Sequence, residues 1–144
     1  MTTRDHLVAA AELWIGTPYH HAARCPGVGI DCINLLCAVY ETAGLIAPIR
    51  LPFYPADWMM HRSEELILQG VLEAQLHQVQ YPQPGDVALF QFGRCYSHGA
   101  VVTDWPELIH AYVGYGVIRG DAHQQPLTMR GNSPRPVKFY SALD

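Results

Sequence analysis

At 144 residues the chain is long enough for one domain with a buried core, and 49% hydrophobic against 15% charged residues excludes a disordered polymer. The formal net charge is −4 and the nine basic residues are scattered, so no basic face for nucleic acid is expected. The apolar run Leu7 to Ala11 is too short for a signal-peptide core, and no segment approaches a membrane span. The expectation is a chain with no export signal and no membrane insertion.

Leu7, Ala10, Ala11 and Trp14 follow the i, i+3, i+4, i+7 pattern of one helix face, and Gly16 is placed to end that helix. Thr17 to Gly29 carries Pro18, Pro26, Gly27 and Gly29 and reads as a loop. A second helix is expected from about Asp31 to Ala43, with Gly44 as its stop. Ala47 to Trp58 contains Pro48, Pro52 and Pro55 and reads as an extended, irregular strap. Ser63-Glu64-Glu65 is an N-cap followed by acidic first-turn residues, opening a third helix to about His77.

Tyr81-Pro82-Gln83-Pro84-Gly85-Asp86 is a turn cluster that separates this helical half from a strand half. Strands are expected at Val87 to Phe92, His98 to Thr103 and Leu108 to Val113, with shorter ones near Gly116 to Arg119 and Val137 to Tyr140. Asp104-Trp105-Pro106-Glu107 is the turn between the second and third. The expected architecture is α+β, with N-terminal helices packed on a C-terminal antiparallel β-sheet in a single domain over residues 1–144.

The chemistry concentrates around Gly29-Ile30-Asp31-Cys32, a glycine-bearing turn that places a cysteine at the start of the second helix. A thiol at a helix N-terminus beside a histidine is expected to ionise more readily than a free one, whose pKa is ~8.5. Acyl transfer then needs a base and a group that orients it. His98 opens a strand, and His110 lies inside the next one, where an unpartnered ring would be costly. The two meet if the hairpin sets His110 opposite or near Ala100; a slip of one residue would put them on opposite faces. Tyr19 either donates its hydroxyl into the site or covers the core. Asp31 either binds a substrate amine or caps its helix. His20 and His21 read most simply as rim residues.

Cys25, Cys32, Cys37 and Cys95 are expected to be reduced, since no secretory signal accompanies them, with Cys37 a small core residue. His20, His21, Cys25, Cys95 and His98 could converge as a zinc set, but no C-x-x-C pair exists. No metal and no cofactor are expected.

The segments Gly16-Thr17-Pro18-Tyr19, Gly29-Ile30-Asp31-Cys32, Gly85-Asp86-Val87-Ala88-Leu89-Phe90, His98-Gly99-Ala100-Val101-Val102 and Leu108-Ile109-His110-Ala111 stand in the order and spacing of the NlpC/P60 cysteine peptidases. The chain resembles that family over about residues 7 to 113. The resemblance implies a papain-like fold, with Cys32 as nucleophile, His98 as base, His110 as orienter and Tyr19 as a supporting oxyanion or thiol contact. It implies hydrolysis of an amide in peptidoglycan stem peptides, typically between D-glutamyl and a diamino acid. Ile33-Asn34 departs from the Ser-Gly of many wall-recycling members, whose Ser helps hold a free substrate amine.

The Pro-rich strap with Tyr54-Pro55-Ala56-Asp57-Trp58 resembles the phage-tail branch of the family. That likeness implies tail-tip proteins as partners, assembly in the host cytoplasm, and delivery to the cell envelope by the virion. Two alternatives stand beside the peptidase. One is an amidase or acyltransferase on another amide or lipid, run by the same three residues. The other is a non-catalytic tail-assembly protein that keeps the fold.

Overall fold

A computed structural model describes residues 1–48, 70 and 74–143. Helix α1 (Thr3–Glu12) opens on a capping box, in which Thr2 Oγ1 accepts from the Asp5 N–H and the Asp5 carboxylate accepts from the Thr2 N–H. It buries Leu7, Ala10 and Ala11. A short hairpin follows, β1 (Arg24–Cys25) and β2 (Gly29–Ile30), where the sequence suggested only loop. Its strands are two residues each, too short to leave a periodic signature. Helix α2 (Cys32–Thr42) then runs with Asp31 as N-cap and Ala43 as C-cap, and Gly44 takes the left-handed conformation at the stop.

Six strands follow: β3 (His77–Val79), β4 (Val87–Phe92), β5 (Cys95–Asp104), β6 (Glu107–Tyr112), β7 (Gly116–Asp121) and β8 (Val137–Ser141). They form one antiparallel sheet in the order β3-β8-β4-β5-β6-β7. The expected strands are all present, and β5 extends three residues further back than its apolar core suggested. His77, expected to end a helix, instead opens β3 and pairs with Ser141. The backbone bonds to β8 override the local helical pattern there. Ala74 and Gln75 form a turn ahead of β3, Gly70 is helical, and residues 63–69 and 71–73 of that expected helix, with the Pro-rich strap beyond Pro48, lie outside the described residues.

One sheet face carries Val87, Leu89, Val101, Ile109, Ala111 and Val117 against Leu7, Leu35, Val39 and Tyr40 of the two helices. The opposite face carries a second cluster, with Phe90, Ala100, Val102, Leu108 and Leu127. Both helices are fastened to the turn before β4. Arg4 Nη1 pairs with Asp86 Oδ1 at 2.8 Å, and the buried Tyr40 hydroxyl donates to the Gly85 carbonyl at 2.6 Å. Gly85 has φ +91°, and a Cβ there would stand 2.9 Å from Leu7 Cδ1, so only glycine lets α1 seat. Among the described residues no helix is long and apolar enough to cross a membrane.

Candidate active site

Cys32 is the first residue of α2 and is only 4% exposed. Its placement follows from Asp31, whose Oδ1 accepts from the Asn34 N–H and from Asn34 Nδ2, each at 2.9 Å, and whose Oδ2 accepts from the Ala22 N–H at 2.7 Å. Of the two roles open to Asp31, the structure displays the cap, and the bond to Ala22 also ties the preceding loop to the helix start. Asn34, at a position where Ser-Gly is common in the resembled family, is engaged in that same cap.

The sulfur lies against the backbone on either side of His98. Its S–H points weakly at the Ser97 carbonyl, with Sγ 3.9 Å from the oxygen, and the N–H groups of Gly99, Cys32 and Ile33 face it. Pairing of β5 with β6 begins at Val101, so this stretch of β5 offers its backbone to the thiol and not to β6.

The register Val101↔Ile109 and Val102↔Leu108, carried two residues back, sets Ala100 across from His110. His98 is then one diagonal step away on the same face. The rings meet: His98 Nε2 and His110 Nδ1 are 2.8 Å apart, both side chains buried. His98 Nδ1 takes no part in that bond. For Nδ1 to accept a proton, Nε2 must carry the hydrogen and donate it to His110 Nδ1, which places the other hydrogen on His110 Nε2. That atom has no hydrogen-bond partner among the described residues. It lies under Gly120, where a Cβ would come within 2.8 Å of it. Glycine here is a matter of space for the ring.

Burial dominates the electrostatics. The Cys32 thiol is pushed up to about 12 by desolvation and then by the neighbouring Asp31 charge, against the smaller downward pull of the three N–H groups. This corrects the expectation of a readily ionised thiol: the first-turn amides are present, but they act in a dry setting beside a carboxylate. His98 is held well below 6.5 by burial, then by His110 and by Arg135, and burial lowers His110 to about 4. The resting site therefore holds a neutral thiol and a neutral imidazole pair. Tyr19, paired through its backbone with Ile30, is half-buried and close enough for charge on Cys32 and Asp31 to act on its hydroxyl. Burial, the larger cause, raises its pKa.

Residues without a motif complete the surroundings. The Tyr112 ring contacts His98 at 5.3 Å and His110 at 5.8 Å between centroids, and Phe92 meets His98 at 5.5 Å. Tyr112, two residues past His110, was legible as a same-face neighbour. Phe92 was less so, because a bulge between Phe90 and Gln91 re-aims it. Among the described residues no group of three or more His, Cys, Asp or Glu side chains is arranged to hold a metal ion.

Solved structures with the same arrangement of helices and sheet are NlpC/P60 domains. NlpC1 from Trichomonas vaginalis superposes with a TM-score of 0.65 at 17% identity, covering 95% of this chain and 42% of that one. This is an NlpC/P60 fold. The NlpC/p60 domain of the peptidoglycan hydrolase SagA gives a TM-score of 0.58 at 19% identity, covering 94% and 96% of the two chains. RipD from Mycobacterium tuberculosis, a non-catalytic NlpC/p60 domain protein adapted to peptidoglycan binding, gives 0.62 at 16% identity over 99% of each. The chain spans less than half the length of NlpC1. No protein-family model matches the sequence, and no curated protein does. At these identities the NlpC/P60 likeness is one of fold.

Proposed function

We propose that the chain is a cysteine peptidase of the NlpC/P60 family that hydrolyses an amide in peptidoglycan stem peptides. The observation that carries this reading is the buried His98–His110 bond, at 2.8 Å, on the strand whose backbone touches the Cys32 sulfur. A buried imidazole pair is costly to keep and serves packing poorly; its value lies in presenting His98 Nδ1 as a base.

In this mechanism the thiol proton passes to His98 Nδ1 as Sγ attacks the carbonyl carbon, and the imidazolium formed is steadied through Nε2–H by His110. Because the resting thiol is neutral, the negative charge appears first on the tetrahedral oxygen. The N–H groups of Cys32 and Ile33, which have no partner within the helix, and the Tyr19 hydroxyl are the nearby donors for it. Collapse breaks the C–N bond, and His98 returns the proton to the leaving amine. Water, deprotonated by the same ring, then hydrolyses the thioester.

The D-glutamyl–diamino acid bond, and delivery by a phage or prophage tail tip, belong to this proposal on the sequence resemblance alone. So does an Asp31 contact with substrate, which would have to compete with its three cap bonds. The near-complete burial of Cys32 and the likeness to RipD favour one second reading, a wall-binding domain without turnover. Digestion of purified peptidoglycan by wild type and by Cys32→Ala, with fragments identified by mass spectrometry, separates the two. Fragments from wild type alone support the peptidase and name the bond. No fragments from folded, reduced wild type, with sedimentation on peptidoglycan retained, would replace it with the binding domain.

A further inference from the structure

Arg135 stands beside this site with no acidic partner among the described residues. The ion pairs formed among the described residues are Arg4–Asp86, Arg24–Glu41 and Arg119–Glu12, and none involves Arg135. Its guanidinium carbon lies 3.7 Å from the centre of the Phe92 ring, the same ring that meets His98 at 5.5 Å and Tyr112 at 6.0 Å. No more than the breadth of this ring cluster separates the guanidinium from the base. Its charge is felt there, as the third cause, after burial and His110, of the low basicity of His98.

The side chain is also held in place. Pro134 and Pro136 flank it and stiffen its backbone. Gln91, at the β4 bulge, binds the segment twice: its N–H donates to the Pro136 carbonyl at 3.0 Å, and its carbonyl accepts from Arg135 Nη1 at 3.1 Å. Arg135 Nε is buried with no partner among the described residues. A preorganised guanidinium with no acidic partner among the described residues is well matched to a carboxylate, because its fork meets both oxygens in one plane. A purely structural arginine on an aromatic ring would gain more from an acidic partner, and the described residues supply none.

We propose that Arg135 is a specificity-determining residue of this site, receiving a free carboxylate on the peptide whose amide is attacked by Cys32. The proposal rests on the peptidase reading and adds a substrate requirement to it. The carboxylate it takes is one carried close to the scissile amide, since Arg135 and His98 pack on the same Phe92 ring.

The test uses equilibrium binding to Cys32→Ala protein, which cannot turn over. The probes are two synthetic peptides containing the γ-D-glutamyl–diamino acid amide, one with free carboxylates and one with carboxamides. The free-acid form should bind roughly ten- to a hundredfold tighter, the span of a charge-assisted hydrogen-bonded pair. Adding Arg135→Gln should abolish that preference, and Arg135→Lys, which keeps the charge but loses the fork, should restore part of it. Thermal unfolding checks that each variant is folded, and the preference of the Cys32→Ala parent stands without either. Equal binding of the two peptides by the parent, failure to bind the free acid, or a preference that survives Arg135→Gln would each overturn the assignment. Cleavage of peptidoglycan by wild type is scored separately. Cleavage without a carboxylate preference removes the anchor and leaves the peptidase, while the preference without cleavage does the reverse.

Discussion

Lowering the pH from 7 to 4 should draw stability out of the fold through the His98–His110 pair. In the unfolded chain a histidine accepts its proton near pH 6.5, whereas buried His110 does so only at about 4. Between those values the unfolded state binds the proton and the folded state refuses it, so stability is complete above about 6.5 and declines as pH falls to about 4. The refusal has a structural cause: His110 is buried in the sheet, where a charged imidazolium loses its water. At about 1.36 kcal/mol per pKa unit, His110 alone accounts for about 3 kcal/mol, and His98 acts in the same direction. Urea unfolding at pH 7, 5.5 and 4, with wild type and His110→Gln, measures this. The glutamine carbonyl can still accept from His98 Nε2–H but does not titrate. With m near ~1–3 kcal/mol/M, the wild-type midpoint should fall about 1–3 M further than that of the variant over this range. Parallel pH dependences for the two proteins would refute the reasoning, because losses from carboxylates are common to both.

Other perturbations read other parts of the site. With its thiol pushed up to about 12, Cys32 should alkylate slowly at neutral pH and roughly tenfold faster per pH unit up to about 10. Labelling is scored at Cys32 by peptide mapping, because Cys25 is exposed; a plateau near pH 7 would mean the thiolate is the resting form. On the peptidase reading, Gly120→Ala should press on the His110 ring and lower kcat by about a hundredfold with little change in KM, as a misplacement of about 1 Å does. An unchanged kcat would show that the ring has room to move. Tyr40→Phe leaves the Gly85 carbonyl without its buried donor and should cost about 1–3 kcal/mol in chemical denaturation. A neutral result would mean that water replaces the hydroxyl.

Where the sequence could be read, it was read through strong local signals. Asp31 before the apolar run marked the start of α2 and therefore the position of Cys32, while the alternation of β5 and β6 allowed two distant histidines to share a face only in one register, which the pairing adopts. The thiol's ionisation was misjudged because helix position is visible in sequence and desolvation is not. Burial of Cys32 depends on backbone from β5, which is contributed 65 residues later. Arg135 was passed over because a lone arginine between prolines has no periodicity, and its meaning comes from Phe92 and the Gln91 bulge. The hairpin of β1 and β2 was missed because two-residue strands are defined by pairing and not by pattern.

The fastening at Gly85 and Asp86 has a bearing on turnover. In the proposed mechanism the nucleophile Cys32 rides on the helical layer and the base His98 on the sheet, so the gap the proton would cross is set by how one layer is seated on the other. Tyr40 grips the sheet eight residues along α2 from Cys32, ~12 Å at 1.5 Å per residue. A helix held at its far end pivots there, and a small tilt at the clasp is magnified at the sulfur. On the peptidase reading, wear at the Arg4–Asp86 and Tyr40–Gly85 contacts would then surface as slower turnover before it surfaced as unfolding.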